Sequence, residues 1–281
     1  FRPRCMGASV ASRSRQALGA LALVVLAIAG WQAAGVLAAW RELRAIAGRL
    51  PELPPLPGLT RGRDPGFPVK VWLHRVDSIE RAVRMARAYA GMEVDVVFDS
   101  AAGYFDVGHP PLPPSGISLD SLLDAIPAVG QHYFWIDFKN LTEGNAAAAC
   151  DNLQGVARRR GLVGHLIVES PNPRALACFT RAGFYTSYYL FPDQGIEAMA
   201  DTSLRRYYDE VRTNLAASQV NAVSSSYESL PFIEAYLPGT DALLWCLDHD
   251  RDLRYRAVLA YLTRRPHVRV VLVRRLSRGY R

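Results

Sequence analysis

The chain has 281 residues, half of them hydrophobic, and a formal net charge of +7, a composition that supports a full buried core and excludes a disordered chain. Nine arginines fall in residues 1–66 and seven in residues 264–281, while the stretch between holds 17 basic and 23 acidic residues. The positive charge therefore belongs to the two ends, where it suits anionic lipid head groups, and nucleic acid is excluded as a partner of the globular body.

From Gln16 to Trp40 no residue carries a charge. As a helix, residues 17–40 would span ~36 Å, enough to cross a bilayer. The reading is an N-terminal tail (1–16) and a transmembrane helix or signal anchor (17–40), expected to be continuous and detached from the globular core. A signal anchor normally leaves its short leading end in the cytoplasm, which makes this a membrane-anchored protein with an extracytoplasmic globular domain. Ala27-Ile28-Ala29 also fits a signal-peptidase site, so secretion after cleavage is the alternative. Residues 41–68 read as a juxtamembrane helix followed by a stiff Pro-rich linker.

From Val69 onward strands and helices alternate to the end of the globular domain (69–281). Strands are predicted at 69–73, 92–98, 104–107, 133–138, 162–169, 184–191, 220–224, 242–247 and 268–273. Helices are predicted at 78–90, 118–126, 143–160, 174–182, 197–217, 230–236 and 253–263, with Ser118 as a cap. Leaving out the short 104–107 strand gives eight β units in about 210 residues, the pattern of an α/β protein with a (β/α)8 TIM-type barrel. An open doubly wound sheet is the alternative, but no Gly-x-Gly-x-x-Gly follows a first strand.

The polar residues at strand ends carry the chemistry. His74 closes the first strand and Arg75 follows it. Glu93 and Asp95 lie two apart on the second strand and so point to the same side, as do Asp137 on the strand at 133–138 and Lys139 just past its end. His109 lies on the loop after the second strand. Carboxylates held that close repel each other unless a cation lies between them, and three of them favour a hard one, Mg²⁺ or Ca²⁺. In a barrel the C-terminal strand ends converge, so these residues share one pocket. Lys139 is one of only two lysines among 33 basic residues, which suits a compact ammonium approaching a carboxylate or phosphate.

Trp245 is placed as a pocket wall against a glycerol or lipid moiety, with plain core packing as the alternative. Glu169 ends a strand as a site residue or a solvated one. Tyr185, Tyr188 and Tyr189 read as strand packing, and Asp248-His249-Asp250 as a polar loop. Ser224-Ser225-Ser226 lacks the Gly-x-Ser-x-Gly elbow of a serine hydrolase. Cys5, Cys150, Cys178 and Cys246 have no C-x-x-C spacing, which excludes a finger-type zinc site and leaves buried free thiols, or a Cys150–Cys178 bridge in an exported protein.

His74-Arg75, Glu93-Val94-Asp95-Val96, Val107-Gly108-His109 and Ile136-Asp137-Phe138-Lys139, taken in order, resemble the glycerophosphodiester phosphodiesterases, a branch of the phospholipase-C-like phosphodiesterase barrels. The resemblance covers roughly residues 69–273. It implies His74 and His109 as general acid and base, Glu93, Asp95 and Asp137 around a divalent cation, and Lys139 on phosphate. It also implies a small-molecule or lipid-derived phosphodiester as substrate, cleaved through a cyclic phosphate when a vicinal hydroxyl attacks.

Three positions depart from that family's pattern: Val76 stands where it has Gly, Pro110-Pro111 where it has Asp, and Asp137 where it has Glu. The His-Pro-Pro and Asp-x-Lys texture is similar to the menorin family, a divergent relative. This leaves as the alternative a degenerate barrel that binds a phosphorylated ligand or a surface partner without turnover.

Overall fold

The computed structural model describes residues 8–56, 59, 64–190, 195–247 and 253–274. Cys5 and Asp248-His249-Asp250 lie outside the described residues. Eight parallel strands close into a barrel: β1 (Val71–Leu73), β2 (Gly91–Asp99), β4 (Tyr133–Phe138), β5 (Leu166–Ser170), β6 (Tyr185–Tyr189), β7 (Ala222–Ser226), β8 (Asp241–Trp245) and β9 (Val268–Val273). Closure comes from β1, which pairs with β9 along its whole length and with β2 at Leu73–Met92. The short β3 (Tyr104–Val107) runs antiparallel on β2 and stays outside the ring.

Alternation along each strand divides the apolar residues into two shells. On β4, Phe134, Ile136 and Phe138 pack outward under the helices, while Trp135 joins Trp72, Ile167, Tyr185, Leu243 and Val270 inside the barrel. Phe67 plugs the N-terminal mouth, with its ring 5.0 Å from Trp72, 5.6 Å from Tyr133 and 5.7 Å from Tyr185. Gly91 is required beneath this plug, because a Cβ there would lie 2.1–2.4 Å from the Trp72 ring. We expect Gly91→Ala to cost about 1–3 kcal/mol through overpacking, read as a lower unfolding midpoint in urea with the site residues unchanged.

The helices that connect the strands are α2 (Ile79–Ala86), α3 (Leu119–Asp124), α4 (Glu143–Arg160), α5 (Ala177–Arg181), α6 (Asp201–Ala216), α7 (Leu230–Tyr236) and α8 (Leu253–Arg264). Ser118 caps α3 by accepting from Ser121 N, and Thr142 with Asn145 forms a capping box on α4. Where boundaries differ from the pattern reading, turn chemistry decides. β5 begins at Leu166, not Leu162, because Gly161 and Gly164 adopt positive φ and spend the intervening residues on a turn. α6 begins at Asp201, after a separate 3₁₀ turn at Ile196–Ala198.

A single helix, α1 (Ala8–Arg49), precedes the barrel and runs unbroken through Trp40. Its Ala20–Arg49 portion is long and apolar enough to cross a membrane. The expectation of a helix detached from the core holds only for its first part. Residues 20–31 are exposed throughout, but Ala39, Leu43 and Ile46 are buried along one face. Gly35 faces Arg254 on α8, where a Cβ added to the glycine would make ordinary contact with the Arg254 Cβ at 3.4 Å. Trp40 then packs edge-to-face on Tyr261 at 4.4 Å, and Arg254 pairs with Glu42 at 2.9 Å. The Pro-rich segment that follows also lies against the barrel. Tyr236 and Tyr208 donate to the carbonyls of Pro51 and Pro54, and Leu56 is buried.

Candidate active site

Register brings the acidic residues together. Asp95 on β2 is paired with Asp137 on β4, and Asp137 with Glu169 on β5, so three carboxylates sit side by side on the inner wall near its C-terminal end. Glu93 lies one inward position lower on β2. Ligand oxygens of Glu93, Asp95 and Asp137 all fall within 4.8 Å of one another.

The β1–α2 loop closes over this group. Arg75 takes a positive φ of 62°, which turns its backbone N–H onto Glu93 Oε2 at 2.5 Å. His74 Nε2 lies 3.8 Å from the same oxygen. The Arg75 guanidinium reaches Asp95 at 3.2 Å and Asp77 at 3.4 Å, while Asp77 Oδ1 accepts from Asp95 N at 3.0 Å. From the other side Lys139 Nζ donates to Asp95 Oδ1 at 2.8 Å and to Asp137 Oδ2. Gly108 N–H bonds Asp95 O at 2.9 Å and delivers His109 to the site, where its charge would favour the ionised forms of Asp95 and Asp137. His109 Nδ1 lies 2.5 Å from Pro110 O. A carbonyl can only accept, so Nδ1 carries the hydrogen and Nε2 is free to exchange a proton.

The electrostatics are those of an excess of buried negative charge. Burial, with Asp95 and Asp137 adding to it, pushes Glu93 well above the usual carboxylate range. Burial raises Asp137 to about 6, against the pull of Lys139, and burial with Asp95 raises Asp77 to about 7. Burial pulls the Lys139 ammonium down, but Asp137 and Asp95 outweigh it and hold it above its ordinary value. Burial lowers His74 to about 4. Glu93 Oε1 and Asp137 Oδ1 are buried without a hydrogen-bond partner. Oxygen donors left unsatisfied beside raised carboxylates suit a hard divalent cation, so the donor set fits one.

No protein-family model matches the chain, and no curated protein sequence matches it. Solved structures do. The glycerophosphodiester phosphodiesterase from Parabacteroides distasonis is 16% identical, covering 73% of this chain and 92% of its own, with a TM-score of 0.50. A protein assigned as a glycerophosphoryl diester phosphodiesterase from Silicibacter pomeroyi is also 16% identical, covering 74% and 91%, with a TM-score of 0.51. One so assigned from Agrobacterium tumefaciens is 12% identical, covering 74% and 94%, with a TM-score of 0.52. The barrel has the glycerophosphodiester phosphodiesterase fold.

On that glycerophosphodiester phosphodiesterase-like barrel, His74, Arg75, Glu93, Asp95, His109, Asp137 and Lys139 come together in one cluster at the C-terminal strand ends. Trp245 ends β8, and its ring packs edge-to-face on Tyr189 at 5.1 Å. Tyr189, assigned from sequence to strand packing, lies within reach of the charges of Glu169, Asp137, Lys139 and Asp95, and Trp245 packs on it. Asp77 joins the cluster through a loop hydrogen bond to the backbone of Asp95, which no sequence periodicity encodes. Glu169 is buried, not solvated, and burial beside Asp137 raises it well above the usual range. Asn140 is structural, bonding both Phe98 N and Phe98 O. Among the described residues Cys150, Cys178 and Cys246 are free thiols.

Proposed function

We propose that the chain is a membrane-anchored, metal-dependent phosphodiesterase that cleaves glycerophosphodiesters or related lipid head-group phosphodiesters outside the cytoplasm. The observation that supports this best is the cluster of Glu93, Asp95 and Asp137, with two unpartnered buried oxygens, set between two histidines and two cations. Mg²⁺ or Ca²⁺ held by the three carboxylates would neutralise charge growing on a non-bridging phosphate oxygen. His74 stands beside Glu93 on the loop after β1, and His109, on the loop after β3, lies within electrostatic reach of Asp95 and Asp137. One takes the proton of the attacking hydroxyl and the other returns one to the leaving alkoxide. Arg75 and Lys139 hold the phosphate between them, and the Tyr189–Trp245 pair receives the organic part.

One contact favours the second reading, a barrel that binds a phosphorylated ligand without turnover: Lys139 already bridges Asp95 and Asp137, supplying in-chain part of the charge a metal would bring. The test is an assay of the detergent-solubilised full chain on glycerophosphodiesters and lysophospholipids in Mg²⁺, Ca²⁺ or excess chelator. We expect turnover with at least one cation and none in chelator. Binding without turnover in both cations supports the second reading. The full chain is needed because a fragment starting at Pro68 would uncover the α7 and α8 surfaces now packed under Leu43, Ile46 and Leu56.

A further inference from the structure

The apolar helix and the catalytic pocket are not at unrelated places on the barrel. Among the described residues, the first hydrogen bond between α1 and the barrel is at Gln32, whose Oε1 accepts from Leu253 N at 2.6 Å. Leu253 is the first residue of α8, which follows β8, and therefore lies on the same C-terminal rim as the carboxylate cluster. Every described residue of α1 from 20 to 31 is exposed. The uncharged helix thus leaves the barrel at the catalytic rim, with no flexible residue between, since α1 is continuous from Ala8 to Arg49.

Helix length fixes how close the bilayer then comes. An uncharged run of 17–40 exceeds the ~20 residues that a hydrocarbon core needs, so the lipid boundary falls between Trp31 and Trp40. Trp31 is 69% exposed and stands one residue before the Gln32 contact, as an interfacial anchor would. Gly35 to Trp40 is the stretch packed on Arg254 and Tyr261 of α8. The boundary is therefore level with the first turns of α8.

The rim is built to meet it. Outside α1, the large hydrophobic side chains exposed among the described residues are Ile79, Leu112, Val163 and Leu253. Three belong to the catalytic rim. Ile79 starts α2, Leu253 starts α8, and Leu112, 68% exposed, lies on the His109 loop with its N–H bonded to His109 O at 3.1 Å. These three occupy one half of the ring, beside β8, β9, β1 and β2. Only Val163, after α4, is at the opposite end. The same half-rim carries Arg75 and the exposed Arg274 that follows β9, after which the sequence to Arg281 holds three arginines and no acid.

We infer that the catalytic face lies against an anionic bilayer, and that the substrate is a phosphodiester resident in that same membrane, drawn from it past the Leu112–Leu253 side of the mouth. The orientation follows from α1; the substrate class rests on the phosphodiesterase reading above.

The test uses the full chain in vesicles of phosphatidylcholine with one part in five phosphatidylglycerol. Leu112→Cys, Leu253→Cys and Val163→Cys, each in a Cys5→Ser, Cys178→Ser background, carry a fluorophore that is quenched by nitroxide on the lipid head group. Labels at 112 and 253 should be quenched several-fold more than the label at 163. Equal quenching at all three, stronger quenching at 163, or unquenched labels on a protein associated through this face with a second copy would overturn the orientation. Unlabelled wild type then receives a diacyl phospholipid, which its two chains hold in one bilayer, either in its own vesicles or in separate vesicles of the same composition. Consumption in the first case and not in the second is expected; equal rates overturn the substrate class. If neither the diacyl phospholipid nor a lysophospholipid nor a soluble glycerophosphodiester is consumed, the phosphodiesterase reading fails, and the quenching still decides the orientation.

Discussion

His74→Ala and His109→Ala should each lower turnover by about 10²- to 10⁴-fold, the usual loss when one positioned acid or base is removed, while the fold and the cation site stay intact. Neither ring is a core element: His74 is partly exposed beside Glu93, and His109 lies on a loop. Both serve the same proton-transfer step, so the double variant should be little slower than the slower single one. Rates of the four proteins at saturating metal, with their unfolding midpoints, check this. Losses that multiply would mean independent roles, and unchanged single variants would remove both histidines from the mechanism.

The second large effect concerns the carboxylates. Glu93→Gln and Asp137→Asn keep shape and remove charge, and each should weaken cation binding by at least about 10- to 100-fold, the loss typical of a group that merely supports a ligand. Turnover should fall with it and recover in part at high metal concentration. Without metal the same substitutions should stabilise the fold near neutral pH, because each replaces a carboxyl whose ionisation burial and its acidic neighbours oppose with an amide that does not ionise. The sign follows from linkage. Glu93, Asp137 and Asp77 bind protons more tightly in the folded chain than in the unfolded one, so metal-free stability falls as pH rises above ordinary carboxylate values, through about 6 for Asp137 and about 7 for Asp77. A bound cation should flatten that slope. Calorimetric metal titration and thermal unfolding between pH 5 and 8 read both effects; a Glu93→Gln chain that binds cation as tightly as wild type would exclude Glu93 from the site.

The barrel was legible because its strands are short, apolar and separated by helices at regular intervals, and β3, β4, α4, α7 and β9 fall at the predicted residues. The site was legible where a residue's direction follows from period-two alternation, as for Glu93, Asp95, Asp137 and Lys139. What escaped was set by tertiary contacts. Asp77 matters through one hydrogen bond to the backbone of Asp95, formed only after β1 and β2 pair. Tyr189 comes near the carboxylates because β6 ends beside Glu169 and within ring contact of Trp245, a matter of register around the ring. The docking of α1 escaped for a similar reason. Gln32, Gly35, Ala39, Leu43 and Ile46 line one helical face, but in a run this apolar their spacing does not stand out against its lipid-like surroundings.

The most direct measurement of the central claim is ³¹P NMR of a glycerophosphodiester incubated with the full chain and Mg²⁺ or Ca²⁺. Replacement of the diester resonance by a phosphomonoester, prevented by chelator and by His74→Ala, is the predicted result. A diester resonance that broadens on binding but never converts, in either cation, would contradict it and leave a barrel that holds a phosphodiester without cleaving it.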